Sequence, residues 1–528
     1  MTADVIGAAA RTDPQLRIPL KPRVRRGLVI TAEEDQIVIE GGPKKQLLRG
    51  RTATDLLPSL LAQLDGTRDH PSLARELGQS DDVIFKVLSL LWTCGVIEEG
   101  PPAESLAEVH DALADFLSRM GDSTGANPTW EQAAARLHGA QVEVFGDRTL
   151  AGLVQSELAR ALPVVVSDRE LPQPGTTLAV CAGSPSAELV QHCWTHRLPL
   201  IRLRIDGRLA DFGPYVQAGV TPCFSCLVTE DKSDERVATD GDHALAAALF
   251  ARELFALVSR STPTTLPLRW RRVDLETLRI ADLSSATRSG CPNCSVVDGP
   301  LAEQASLAAR FEAHVAIPPK QYADPKAHQM HYRPSNLALQ HVSKAWPVAR
   351  VVSLPEPPFE HLARKQPTAA LGTEELSLLL KVTAGIQGEE AGKVLRWTAT
   401  GGNLGSAGVF CIVRDVPGLD SGVYAYIPAE HRLASLSPSV EEDPHGAPLT
   451  LVLTGDYGKV ASKYSAFALR IILLDSGCAQ AAARVAARAL RLEFSPRTRW
   501  DDDALAAAAG VDADHYPITA VIDLGVPR

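Results

Sequence analysis

Hydrophobic positions change their spacing several times along the chain, and each change marks a new kind of element. Between residues 27 and 50, the segments GLVIT (27–31), QIVIEG (36–41) and KKQLLRG (44–50) are short and rich in β-branched or aliphatic residues. The turn-prone AEED and GGP separate them, which predicts three strands. From residue 52 the apolar positions recur at helical spacing. TATDLLPSLLAQL, PSLARELG and SDDVIFKVLSLLWTCG therefore predict helices, the last capped by Ser80 and stopped by Gly95. A polar stretch, GDSTGANPTWEQ (121–132), reads as a linker. Beyond it, QVEVFG, PVVVSD, TTLAVCAG and PLIRLRIDG alternate with TLAGLVQSELARAL and AELVQHCW, a rhythm that predicts βαβ units and a parallel sheet. Residues 301–345 and 354–368 are rich in Pro, Lys, Gln and His and read as a connection with some helix. GTEELSLLLKVTAGI then predicts a helix with a capping box, before a Gly-rich loop, several strands and the long helical stretch LLDSGCAQAAARVAARALRL.

At 528 residues the chain exceeds one hydrophobic core and predicts about three domains. Its 45% apolar and 22% charged residues are ordinary for a globular protein, and no uninterrupted run of 18 apolar residues predicts a membrane span. The N-terminus lacks the basic start and apolar run of a secretory signal, so a cytoplasmic protein with reduced cysteines is expected. A net charge of −10 gives no general footprint for nucleic acid, and the cluster KPRVRR (21–26) is too short to reverse it.

Two pairs of cysteines carry the first candidate chemistry: Cys223 and Cys226 in TPCFSCL, and Cys291 and Cys294 in SGCPNC. Each C-x-x-C turn offers two thiolates, and two such turns complete one tetrahedral zinc site. A redox reading of one pair leaves the other unexplained. Because residues 227–290 separate the pairs, a helical insertion is expected between them, visible as HALAAALFARELFALVSRS (243–261). A closed four-sulfur site keeps no open position, so this zinc is expected to hold the fold. By contrast, the strand ending in Phe145-Gly146-Asp147 has a single glycine where a nucleotide fold needs several, which argues against phosphate binding there.

Three resemblances follow from these segments. The strands and helices of residues 18–105 resemble, in element order alone, the PqqD-like winged helix that binds leader peptides; a generic winged helix is the alternative. Residues 130–300, with PCFSCL and GCPNC, resemble the ThiF-like partner proteins of azoline-forming cyclodehydratases. That resemblance implies delivery of a precursor peptide to a separate YcaO-type cyclodehydratase. The leader is expected as an added strand beside KKQLLRG and against the helix starting at Ser80, because an exposed strand edge offers unpaired N–H and C=O groups. Residues 340–528 resemble the nitroreductase-fold, SagB-type azoline dehydrogenases, through Arg396, Gly401, Gly402, the GLDSGVYAY segment, His431, Lys463-Tyr464 and the Asp475, Gly477, Gln480 pattern.

What this last resemblance implies is an FMN-dependent oxidation of azolines to azoles by a homodimer. Lys463 and Tyr464 would be catalytic, Tyr464 acting as base because the neighbouring ammonium lowers its pKa. Arg364, Arg396, Gly401, Gly402, Asn403 and Arg470 would bind FMN, the arginines as candidate phosphate anchors. The chain departs from the family at Ala399-Thr400, where Pro-Ser is usual, at Phe467 and at Ala481. A leader-binding scaffold with a silent flavin domain is the alternative function. The expected architecture is thus α/β and α+β, multidomain, with a small winged helix first.

Overall fold

The computed structural model describes all residues except 1, 15, 103–108, 228–235, 327–333, 364–370, 391, 438–445 and 527–528. The chain divides into two compact units, Met1–Gln329 and Met330–Arg528. The first unit holds both the strand-and-helix segment and the alternating segment read from the sequence.

In the first unit, β1 (Pro22–Val24), β2 (Val29–Ala32), β3 (Gln36–Glu40) and β4 (Gln46–Arg49) precede four helices and β5 (Ile97–Glu99). The chain places β2, β3 and β4 in an antiparallel meander, so β4 is an edge strand, while β1 pairs with β5. The helices Arg51–Asp55, Leu57–Gln63, His70–Glu76 and Asp81–Thr93 bury Leu60, Leu73, Ile84, Leu88 and Leu91 completely. Ser80 caps the last of them, accepting the Val83 N–H at 3.3 Å.

One helix was not foreseen. Ala3–Thr12 lies along Asp81–Thr93, buries Ile6, and is pinned by Asp4 to Lys86 at 2.9 Å and by Arg11 to Asp82 at 2.6 Å. It therefore covers one side of the helix expected to face a leader peptide. A fully buried Glu98 carboxylate ties this part together: it accepts from Arg23, Arg25 and the Ser118 hydroxyl, and Arg23 continues to Glu131. Paired in this way, a buried charge does not stand uncompensated.

The second sheet comprises β6 (Val142–Gly146), β7 (Val164–Val166), β8 (Leu178–Ala182), β9 (Leu200–Asp206), β10 (Leu209–Val216), β11 (Arg269–Asp274) and β12 (Ile280–Ser284), in the order β12-β11-β10-β9-β8-β6-β7. Only half of it is parallel. β7, β6, β8 and β9 run together as expected, but a two-residue turn at Gly207-Arg208 reverses the chain, and β10 to β12 extend the sheet antiparallel. The helix Asp240–Ser259 covers the sheet with a buried Phe250 and starts at a capping box in which Thr239 and Asp242 exchange hydrogen bonds. At the end of β6, the Asp147 carboxylate accepts the Leu150 N–H at 2.8 Å, so an anion of the chain itself serves that helix N-terminus.

The second unit contains β13 (Arg350–Ser353), the hairpin β14 (Ile386–Glu390) and β15 (Lys393–Arg396), then β16 (Ala407–Val413), β17 (Gly422–Ile427), β18 (Arg432–Ser437), β19 (Leu449–Gly455), β20 (Glu493–Pro496) and β21 (Ile518–Gly525). Apart from the hairpin these form one antiparallel sheet, ordered β13-β18-β17-β16-β19-β21-β20. Alternation along β16 and β19 sends Val409, Cys411, Leu451 and Leu453 to one face, beneath the helices Thr373–Ala384 and Ala468–Ala489. Phe410, Ile412 and Val452 go to the other, with Trp346 and the helix Asp502–Ala509.

One stretch of the described residues, Tyr457–Ala489, is long and apolar enough by length and composition to cross a membrane. The sequence reading had found no such run. In the structure this stretch breaks at Ser465, whose φ is +49°, and buries Ile472, Asp475, Ser476 and Ala479 in the unit. Its other face leaves Leu473, Leu474 and Val485 exposed.

Candidate functional site

The two cysteine turns converge in the first unit. Cys223 Sγ lies 3.5 Å from Cys291 Sγ and 3.6 Å from Cys294 Sγ, and Cys226 Sγ lies 3.5 Å from Cys294 Sγ. Sulfurs about 2.3 Å from a central zinc would be about 3.8 Å apart, so the four thiols already outline such a tetrahedron. Each pair is held by its own turn: Cys226 N–H donates to Cys223 O at 3.1 Å, and Ser295 N–H to Cys291 O at 3.0 Å. Backbone donors also reach the sulfurs, since the Arg288 N–H points at Cys226 Sγ at 3.3 Å. Burial pushes the Cys226 thiol up to about 11; burial acts upward on Cys291 too, but the backbone N–H groups of Asn293 and Cys294 together with the Cys226 and Cys223 thiols bring it down to about 6. The cluster could hold a metal ion.

The second constellation surrounds the turn after β15. Gly401–Asn403 form a single helical turn in which Gly402 and Asn403 both have φ of +59°. Asp475, from the long helix, accepts the Gly401 N–H at 2.7 Å and the Ser406 hydroxyl at 2.5 Å. The Lys459 ammonium donates to Gly405 O at 3.1 Å and to Val342 O at 3.0 Å. Burial raises the Asp475 carboxyl, against the Ser406 and Gly401 hydrogen bonds, and burial lowers the Lys459 ammonium. The turn is thus fixed from both sides by buried side chains.

Lys463 and Tyr464 meet this turn at Gly402. A Cβ there would lie 2.5 Å from both Lys463 Nζ and the Tyr464 hydroxyl oxygen, and Lys463 Nζ is 3.4 Å from Gly402 O. Only a bare glycine leaves this approach open. The electrostatics reverse one expectation. Tyr464 is raised, first by burial and then by Asp475, while burial lowers Lys463. Both shifts favour uncharged forms, a protonated phenol and a neutral amine, rather than a phenolate.

Two expected FMN ligands have other duties. Arg396 sends its guanidinium to Gln340 O at 2.7 Å and Asn403 O at 3.4 Å, and the Asn403 amide donates to Val394 O at 2.8 Å and Gln340 Oε1 at 3.0 Å. Both hold the back of the turn. Arg470 lies over the Phe467 ring at 5.6 Å, and Arg364 lies outside the described residues. Sequence reasoning missed Lys459 and Gln340, whose neighbours carry no motif.

A hydrogen-bonded chain runs behind the motif tyrosine. Tyr426 O–H donates to His431 Nδ1 at 2.8 Å, His431 Nε2–H to Ser377 Oγ at 2.8 Å, and Ser377 to Pro355 O at 2.6 Å. That order follows because Pro355 O can only accept. Burial lowers His431, which keeps the imidazole neutral.

No family model matches the chain, and no curated protein matches it. Among solved structures, a heterocyclase in complex with substrate and cofactor is 17% identical, covering 52% of this chain and 39% of its own, with a TM-score of 0.38. The heterocyclase TruD is 14% identical over 81% of this chain and 65% of its own, TM-score 0.40. A nitroreductase from Anabaena variabilis is 20% identical over 37% of this chain and 44% of its own, TM-score 0.29. The chain therefore spans less than half the length of the first heterocyclase and of this nitroreductase. It is a mixed α/β, multi-sheet protein, similar in part to heterocyclases and in part to nitroreductases.

Proposed function

We propose that this protein is an FMN-dependent dehydrogenase that oxidises azolines to azoles in a ribosomally made peptide, next to a separate YcaO cyclodehydratase. The observation that carries the reading is the convergence of Lys463 Nζ and the Tyr464 hydroxyl on the glycine turn at Gly402. Two proton-handling groups thus stand together at the turn. By the family pattern Gly401 and Gly402 would stand at the ring of the cofactor, with Arg470 and Arg364 as remaining candidate anchors for its phosphate. When bound, FMN supplies a hydride acceptor.

The chain's own groups supply the rest. Aromatising an azoline removes one hydride and one proton, so a base must stand at the ring. With its pKa lowered, the Lys463 amine is suited to take the proton, and the protonated Tyr464 is suited to donate a hydrogen bond that orients the ring. The four cysteines would hold one structural zinc. The small module around β2 to β4 would bind the leader as an added strand at the β4 edge, because an edge offers unpaired N–H and C=O groups. Two copies would form a homodimer.

Mass spectrometry of a cyclised precursor peptide, incubated with the protein and FMN, tests the reading. Oxidation removes two hydrogens, about 2 Da per ring. Absence of that loss, with the leader still bound, would leave a scaffold role in its place.

A further inference from the structure

Against the Phe410 face of the sheet ordered β13-β18-β17-β16-β19-β21-β20 lies an open cavity of about 430 Å³. Its walls are aromatic. Trp346 meets Phe410 edge to face, with ring centroids 5.9 Å apart and planes at 87°, and the Lys344 ammonium lies 4.8 Å from the Trp346 ring and 4.3 Å from that of Tyr516. The floor is nearly featureless, made by Ala407 and Gly408 of β16. Aromatic walls over a bare floor form a slot that suits a flat ring.

One end of the slot is polar in a way that a solid core would not be. Thr454 is 2% exposed and lines the cavity, yet its hydroxyl has no hydrogen-bond partner among the described residues. That hydroxyl stands over Gly408, 2.7 Å from where a Cβ would be, so any larger residue at 408 would cover it. Lys459, 9% exposed, also lines the cavity; it spends two N–H bonds on Val342 O and Gly405 O, and the third has no partner among the described residues. An acceptor from outside would find both groups at one end of the slot. The cavity is lined by the cations Lys344, Lys459 and Arg396 and the carboxylates Asp456 and Glu389, and Asp475 also acts on Lys459 and Arg396 from behind the turn. Asp456 is partly committed, accepting the Lys459 N–H at 3.0 Å.

We propose that this cavity is a binding site for a planar aromatic or heteroaromatic carboxylate, its ring in the slot formed by Trp346, Phe410 and Tyr516 and its carboxylate at Thr454 and Lys459. The site is separate from the surface of Gly402 that meets Lys463 and Tyr464, and a carboxylate there would compensate a buried ammonium. Ring and charge are both required by the lining, so a neutral aromatic or an aliphatic acid satisfies only half of it.

Isothermal titration of the full-length protein with naphthoate tests this, with naphthamide and cyclohexanecarboxylate as comparators. The expected result is saturable naphthoate binding with Kd of about 10–500 µM and about tenfold or more weaker binding of both comparators. Thr454→Val should weaken naphthoate about fivefold or more, and Gly408→Val should abolish binding by filling the floor. Since Gly408→Val can disturb folding, Trp346→Ala at the wall is the second variant, and it should also weaken binding about tenfold in a protein of unchanged circular dichroism. No saturable binding at about 5 mM naphthoate, equal binding of the three compounds, or unchanged affinity in folded Trp346→Ala would overturn the proposal. So would competitive displacement of naphthoate by FMN, which would assign the cavity to the cofactor. Activity on peptides is not needed for any of these readings, so failure here leaves the proposed oxidation standing.

Discussion

Gly402 shows how much a missing side chain can decide. Its φ of +59°, and the 2.5 Å at which an added Cβ would meet Lys463 Nζ and the Tyr464 hydroxyl, mean that even alanine would be strained and would push those two groups aside. We expect Gly402→Ala to lose about 1–2 kcal/mol of stability from its left-handed backbone and to lower azole formation about a hundredfold. Thermal unfolding and single-turnover mass spectrometry separate the two effects; a folded variant at wild-type rate contradicts the placement of the site. The pKa directions give a second expectation. If the Lys463 amine takes the proton, the rate rises with pH through the lowered Lys463 pKa, below the ordinary lysine value, and falls only where Tyr464 ionises. A rate falling across pH 7 to 9 would refute Lys463 as base. Gly401, Gly402, Lys463 and Tyr464 were legible in the sequence because their order forms a pattern. The commitments of Arg396 and Asn403 to carbonyls were not, since a residue type does not reveal which acceptors folding brings to it.

Among the elements, the cysteine turns were the most legible, because a C-x-x-C turn fixes its geometry locally. Their convergence supports a metal whose binding free energy is also folding free energy. Metal analysis should give about one zinc per chain, and chelation or Cys223→Ser should lower the unfolding temperature of the first unit; an equally stable, metal-free wild type would refute it. The strands β2 to β4 were read from short aliphatic runs between turn-prone segments, and in the structure β4 is an edge strand. A folded Leu47→Pro protein should lose leader-peptide binding by calorimetry, because proline removes an edge N–H. Unchanged affinity would move the leader site elsewhere. Less legible was the reversal at Gly207-Arg208, since a hydrophobic strand pattern does not say whether its neighbour runs parallel or antiparallel. The helix Ala3–Thr12 was missed because Ile6 finds its burial only against a distant helix.

At the scale of the whole molecule, recognition and oxidation fall in different units in this account, Met1–Gln329 carrying the peptide and metal features and Met330–Arg528 the glycine turn. Tethering them raises the effective concentration of a bound peptide's core near the turn without any new contact. The division of labour predicts that damage to one function leaves the other intact. Lys463→Ala combined with Tyr464→Phe is the most direct test, scored on one precursor peptide by mass spectrometry in the presence of FMN and the cyclodehydratase. Each ring closed removes one water, about 18 Da, and each ring oxidised then removes about 2 Da. The wild type should show both losses, and the double variant the first alone, with leader binding and zinc content unchanged. Oxidation by the double variant at the wild-type rate would contradict the account.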